Sequence, residues 1–321
     1  MNPSRNSMSK VNQTTVTEFL LVGFETRPEL QITLFVMFFI IYLSTVAGNI
    51  LLILTVWTDH HLHTPMYFFL SNLSFLETGY VSNVIPRLLV SFLTQDKTIS
   101  LPGCCLQLYV FSFLGTTECF LLTGMSYDRY LAICRPLHYV TLMSPRTCLL
   151  LAVASWTCGF VSPSFTVITT SKLAFCSQAE INHFFCDLTA VLRLSCEDTS
   201  IIKVTSLILA SIITLAPFVL TITSYVYVIL TSLGIPSTAG RKKAFSTCSS
   251  HLIVVSTFYG ALIIMYVVPS GNQSLDFNKV FSLLYTVVTP MFNPIVYSLR
   301  NKEVKDALRR AIGKMWPSTK M

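Results

Sequence analysis

An all-α membrane protein, a seven-transmembrane helix bundle followed by a short amphipathic C-terminal helix, is the fold this sequence predicts, and three observations predict it. Hydrophobic residues make up 52% of the 321 and charged residues only 12%, where a soluble domain carries about 25% charge. Mean hydropathy is +0.63. Apolar runs recur at 29–57, 65–91, 101–133, 147–169, 200–232, 241–268 and 279–299, each long enough for a hydrocarbon core that needs roughly 20 residues per helix. The charges between them are sorted by side. Thirteen of the 22 Lys and Arg fall on one set of connections, with only Asp59, Asp128, Glu303 and Asp306 as acids there. The positive-inside rule makes that set cytoplasmic and the N-terminus external. The +7 net charge therefore describes the inner face and predicts no nucleic-acid site.

These boundaries divide the chain into an external tail over 1–28, a seven-helix domain over 29–299 and a cytoplasmic tail over 300–321. The tail has no cationic start, apolar centre and small-residue cleavage site of a signal peptide, so the first helix is expected to act as an uncleaved anchor. Asn12-Gln13-Thr14 is a glycosylation sequon on the side that charge makes external. Asn2 is excluded by Pro3, Asn72 lies within a span, and Asn272 sits in a very short loop.

The first span contains Asn49 and leads to His60, His61 and His63, read as interfacial histidines without the partners that a transition-metal site requires. In the second span Glu77 is deep in the membrane, where a carboxyl is costly and faces the bundle interior. The third span carries one helical stripe: Arg129, Met125, Leu122, Glu118, Gly115 and Phe111, counted back in steps of four and three. Glu118 lies about 16 Å from Arg129 along the axis and Phe111 about 10 Å beyond it. The triplet Asp128-Arg129-Tyr130 closes that helix at its cytoplasmic end. A guanidinium placed there suits exchange between an internal carboxylate and a partner.

Cys104, Cys105, Cys176, Cys186 and Cys196 fall on the outer side, where disulfides form, and their spacing does not give the pairing. Cys119, Cys134, Cys148, Cys158 and Cys248 are expected as thiols. The fifth span carries Pro217 and ends near Ser224-Tyr225, and Ser206, Leu209, Ala210 and Ile213 share one of its faces. A basic segment, Arg241-Lys242-Lys243, opens the sixth helix and suits anionic lipid. On that helix Tyr259, Leu262, Ile263 and Tyr266 share a face. Asn293-Pro294, with Tyr297 beyond, makes a hinge in the seventh. Val304, Ala307, Leu308, Ala311 and Ile312 form the apolar side of the last helix, which lies on the inner membrane surface.

Taken together, PMYFFLSNLS at 65–74, MSYDRYLAIC at 125–134, PLHY at 136–139, SY at 224–225, KAFSTCSSHL at 243–252 and PMFNPIVYSLRN at 290–301 occur in one order. They resemble the rhodopsin-like (class A) G-protein-coupled receptors and, more narrowly, the odorant receptors, with short outer loops similar to the tetrapod-type class. The resemblance covers about residues 20–310 and implies a Cys104–Cys186 bridge and a Cys176–Cys196 bridge within the second outer loop. It also implies a switch at the G-protein face made of Asp128, Arg129, Tyr130, Tyr225, Lys243, Asn293, Pro294 and Tyr297. The implied partner is a stimulatory-type heterotrimeric G protein that raises cAMP. Glu77 and Glu118, with Asn49 and Asn293, either hold a sodium ion or share a proton between the carboxyls, and both readings stand.

A ligand site follows in the outer half of the bundle, from Phe111, Ser112, Gly115 and Thr116; Ser206, Leu209, Ala210 and Ile213; and Tyr259, Leu262, Ile263 and Tyr266. Such walls suit a small, volatile, mainly apolar ligand with one hydrogen-bonding group. Phe111 stands where amine-binding relatives place an acid, which argues against a cationic amine. A receptor for an endogenous metabolite outside the nose would use the same site chemistry. A transporter or channel is disfavoured, because the sequence has no internal repeat. No nucleophile stands at usable spacing from a base, and no phosphate loop is present, so the sequence predicts no enzyme and no cofactor.

Overall fold

The computed structural model describes residues 16–24, 27–175, 180–266, 275–300 and 302–315. Its long helices are α1 (Pro28–Thr58), α2 (Pro65–Thr94), α3 (Leu101–Cys134), α4 (Pro145–Val161) continued by α5 (Ser164–Thr170), α6 (Ser200–Leu233) and α7 (Thr238–Tyr266). The last span is α8 (Leu275–Leu283), a π-helical turn over Leu284–Val288 and α9 (Thr289–Arg300), after which comes α10 (Lys302–Met315). These elements match the seven predicted spans to within a few residues at most ends.

Several starts are written locally. α1, α2, α3 and α4 carry proline in their first turn, where the missing N–H has no intrahelical partner to lose. Ser100 and Ser144 cap α3 and α4 by accepting from the Gly103 and Thr147 amides. Five segments are long and apolar enough to cross a membrane by themselves: α1, α3, α4 with α5, α6, and Lys279–Tyr297. α2 falls short because it carries Asn72, Glu77, Asn83 and Arg87. Even so, thirteen of its residues are buried, Glu77 among them, so its polarity faces protein. The basic opening of α7 has the same effect, leaving His251–Leu262 as its apolar portion.

α3 is the axis of the bundle and packs against α2, α4 and α6, with α7 also touching it. α1 closes the ring between α2 and α9. The core is one continuous cluster from Phe38, Tyr80 and Phe111 at one end to Leu131, Met143, Val304 and Ala307 at the other. The predicted α3 stripe lies inward, with Met125 and Leu122 fully buried and Glu118 and Phe111 nearly so.

At the end opposite Arg129 a small sheet forms a lid. β1 (Glu18–Leu21) pairs antiparallel with β2 (Thr98–Ser100) and parallel with β3 (Glu180–Ile181). Phe19 of β1 is buried edge-on against Phe175. The Cys104–Cys186 disulfide joins α3 to the loop that follows β3. Cys196 is disulfide-bonded too, whereas Cys176, its expected partner, lies outside the described residues, as does Asn12. Cys105, Cys119, Cys134, Cys148, Cys158 and Cys248 are free thiols.

Candidate functional site

At the α10 end of the bundle, Asp128 is fully buried and pairs through Oδ2 with the Arg129 guanidinium at 2.9 Å. Its Oδ1 accepts from the Tyr139 hydroxyl at 2.8 Å. Burial, followed by the neighbouring Asp128 charge, pushes the Tyr139 phenol up, so it remains a donor to that carboxylate. Arg129 Nε is buried without a hydrogen-bond partner. Tyr130 turns toward α6, packing on the cluster of Tyr225, Val228 and Cys248 and edge-on to Tyr227. Across that cluster Tyr225 is hydrogen-bonded to Nδ1 of His251 on α7, while the buried Tyr297 hydroxyl has no partner. Of the predicted switch residues, Asn293 and Pro294 lie half-way along the bundle, whereas Asp128, Arg129, Tyr130, Tyr225 and Tyr297 lie toward this one end. His251 joins them; it stands inside the quoted KAFSTCSSHL segment, but only the fold brings it to Tyr225. The Lys243 side chain lies outside the described set.

Half-way along, Asn293 Nδ2 donates to Glu77 Oε1. Asn49 Nδ2 donates to the Thr45 carbonyl at 3.1 Å and to the Pro290 carbonyl at 3.4 Å. Pro294 packs 3.5 Å from the position a Cβ on Gly48 would occupy. Glu77 Oε2, Glu118 Oε1 and Asn49 Oδ1 are buried and unpartnered. An all-oxygen set of this kind fits a hard cation such as sodium, and a proton shared between the two carboxyls would satisfy part of it as well.

Toward the lid the structure divides the twelve nominated pocket residues. Phe111 sits in an aromatic cage, its ring 5.1 Å from Tyr80, 4.9 Å from Phe185 and 5.7 Å from Tyr285. A Cβ on Gly115 would lie 3.3 Å from the Tyr80 hydroxyl. These two thus face α2, the π-helical turn and the lid loop, whereas Thr116 accepts from Ser162 at the α4–α5 break at 3.2 Å. On α6, Ser206, Leu209, Ala210 and Ile213 are half-buried while Leu207, Ile208 and Ile212 between them are exposed, and Ser206 meets Thr166 at 3.2 Å. Tyr259 is buried against Phe218, with its hydroxyl donating to the Cys119 carbonyl at 3.4 Å. Ser112 is half-buried, Leu262 packs on the core, and the side chains of Ile263 and Tyr266 lie outside the described set. Tyr80, Ser162, Phe185 and Tyr285 complete this region. Sequence periodicity places residues on a face of their own helix and not against residues of other elements, so it missed these four.

The family model for olfactory receptors matches residues 38–315. The chain belongs to the olfactory receptor family. Human Olfactory receptor 6N1 is 49% identical to it over 95% of this chain and 98% of its own length. Mouse Olfactory receptor 5B21 is 46% identical over 97% and 98%, and human Olfactory receptor 11A1 is 49% identical over 93% and 94%. This olfactory receptor is accordingly a multi-pass plasma-membrane G-protein-coupled receptor for odorants and not an enzyme. The lid is cross-bonded to α2 and α3. Gln107 of α3 accepts from the Cys186 amide at 2.9 Å and donates to the Asn83 carbonyl at 2.9 Å, while Asn83 donates back to the Gln107 carbonyl at 3.0 Å. His183 meets Ser282 at 3.2 Å. Burial first, and the Lys279 charge as well, lower the imidazole to about 4 against the pull of Asp187.

Proposed function

We propose that the receptor binds a small, mainly apolar volatile molecule in the outer half of the bundle and couples it to a stimulatory-type G protein, raising cAMP. The N-terminus and the 1–28 tail lie outside, with Asn12 glycosylated, and the 300–321 tail lies in the cytoplasm against membrane lipid. The observation that carries this reading is the single inward face of α3. It runs from Phe111 beneath the lid, through Glu118, to Arg129 at the far end. A ligand that fits one arrangement of that face better than another shifts the population at the Arg129 end.

Phe111, Ser112, Gly115 and Thr116 form the α3 wall, Ser206, Leu209, Ala210 and Ile213 the α6 wall, and Tyr259, Leu262, Ile263 and Tyr266 the α7 wall. Apolar and aromatic side chains dominate, and the Ser, Thr and Tyr hydroxyls supply the hydrogen bonds that orient a ligand. On activation the Arg129 guanidinium leaves Asp128, and Tyr225 and Tyr297 become its neighbours as the KAFSTCSSHL start of α7 swings outward, with Asn293-Pro294 a hinge in the last span. Glu77 and Glu118 hold the resting arrangement with either a sodium ion or a shared proton.

The test is cAMP output from cells exposed to an odorant panel. Wild type responds to at least one odorant, and Arg129→Ala removes the response while surface labelling stays the same. A mutant that reaches the surface and signals normally would overturn the role given to Arg129. A response carried by calcium release without cAMP would overturn the choice of G protein.

A further inference from the structure

Where the tail strand β1 meets α2, the lid closes over a cavity of about 10 Å³, room for one water-sized sphere. Leu21 and Gly23 of the tail, Arg87 and Ser91 of α2, Lys97 of the loop before β2 and Phe184 stand around it. Two cations and no acid line this space. Other contacts place both charged heads beside it. Lys97 Nζ donates to the carbonyl of Val22, the neighbour of the lining residue Gly23, at 3.0 Å. Arg87 Nη2 lies 3.8 Å from Oδ1 of Asp96, the residue before Lys97.

The fold itself brings these like charges together. Arg87 and Ser91 are four residues apart and share a face of α2, while the Leu21 amide, donating to the Lys97 carbonyl at 2.8 Å, draws Lys97 in against the tail. Compensation is slight. The Asp96 carboxylate is exposed and already accepts from the Thr98 amide at 2.9 Å and the Thr98 hydroxyl at 2.7 Å, so at 3.8 Å and in water it does little for Arg87. Arg87 makes no hydrogen bond among the described residues, and Lys97 has given one of its three protons to Val22. Two like charges held close are relieved by an anion, whereas a water molecule leaves their repulsion in place. Size selects which anion. A space for one sphere admits a halide and is too small for phosphate, sulfate or a carboxylate.

We infer that this cavity is a binding site for a single chloride ion, held between Arg87 and Lys97 and joining the tail to α2. The ion thereby belongs to the frame of the lid. Its binding depends on neither the odorant, the G protein nor the orientation proposed above, because chloride in solution reaches both faces of a purified receptor.

The experiment measures the thermal midpoint of purified full-length receptor in choline chloride, choline bromide and choline sulfate at equal ionic strength, so that sodium plays no part. Wild type has a midpoint higher in chloride and bromide than in sulfate by about 2 °C or more. Salting-out alone gives the reverse order, since sulfate is strongly excluded from protein surfaces. Arg87→Gln loses the chloride increment, and its midpoint in sulfate equals or exceeds that of wild type because one of two opposed cations is gone. An arginine that served only as the partner of Asp96 would instead lower the midpoint in every salt when replaced. Ser91→Val keeps both cations and sets a methyl group in the cavity, from a position whose hydroxyl serves only its own helix; it loses the increment too. Asp96→Asn removes the competing acid and lowers the chloride concentration that gives half the shift by about two- to fivefold. Equal wild-type midpoints in the three salts would overturn the proposal in favour of an ordered water, and a midpoint highest in sulfate would do so in favour of salting-out. A chloride increment that survives in either folded variant, Arg87→Gln or Ser91→Val, would place the halide elsewhere and overturn it as well.

Discussion

The two ends of the bundle are held together in different ways. At the lid, a disulfide, a three-stranded sheet and the reciprocal Asn83–Gln107 amides tie four chain segments together, and among the described residues no buried side-chain polar atom there lacks a partner. From mid-membrane to the Arg129 end, Glu77, Glu118, Arg129, His251 and Tyr297 each keep a buried polar atom unpartnered. A buried polar atom without a partner is costly. A segment that tolerates several of them is poised for a different set of partners, whereas a fully bonded segment has little to gain by rearranging. The lid thus reads as the fixed frame and the opposite end as the part that moves.

The largest way to break that contrast is to untie the frame. Cys104→Ser removes a link between residues 82 apart, and we expect a loss of about 2–5 kcal/mol in stability, measured as thermal inactivation of purified receptor and loss of surface labelling. A variant as stable as wild type would mean that the sheet alone holds the lid. Acid should loosen the same region without mutation. Burial lowers the His183 imidazole from 6.5 to about 4, so the closed lid favours the neutral ring. That contribution is complete above pH 6.5 and is lost as pH falls toward 4, roughly 3 kcal/mol in all. Hydrogen-exchange protection over 180–187, corrected for the intrinsic pH dependence of amide exchange, should fall across this window, and His183→Gln should remove that fall. Equal protection at pH 7 and pH 5 would count against the latch.

Legibility in the sequence follows the same division. Periodicity and hydropathy identified all seven spans, and the α3 stripe was readable because a helix repeats every three or four residues. Proline and serine at the helix starts were equally plain. Contacts between elements were not. Phe111 was assigned to a wall shared with α6 and α7, yet its ring meets Tyr80, Phe185 and Tyr285, since a stripe gives the direction of a face and not its neighbour. The pairing of β1, β2 and β3 within the lid was missed. Its strands have four, three and two residues, too few for an alternating pattern, and they pair across long separations. The π-helical turn at Leu284–Val288 left no signal of composition either.

A smaller intervention probes the mobile end. Tyr297→Phe deletes a buried hydroxyl that has no partner, so the resting arrangement should gain about 1–2 kcal/mol. If that hydroxyl finds its partner only on activation, the thermal midpoint of unliganded receptor rises while the maximal cAMP response falls. An unchanged response would remove Tyr297 from the switch, and a lower midpoint would show that the hydroxyl is bonded at rest.

The finest comparison sets two glycines of α3 against each other. A Cβ on Gly115 would lie 3.3 Å from the Tyr80 hydroxyl, and one on Gly124 would lie 3.3 Å from the Phe69 ring. The intrusion is similar, and both substitutions gain the helix preference of alanine, about 1 kcal/mol, against the crowding. Net stability should therefore move little in either variant. Their functional effects should separate. Tyr80 packs on Phe111 beneath the lid, so Gly115→Ala should shift odorant potency by about three- to tenfold, most for the bulkiest agonist, with the maximal response retained. Phe69 is fully buried toward the Arg129 end, so Gly124→Ala should leave potency near wild type and alter basal and maximal cAMP instead. Dose–response curves for both variants against the same odorants decide it. Potency shifts of equal size in both would mean that α3 moves as one rigid rod, and the distinction between a fixed frame and a moving end would not hold along this helix.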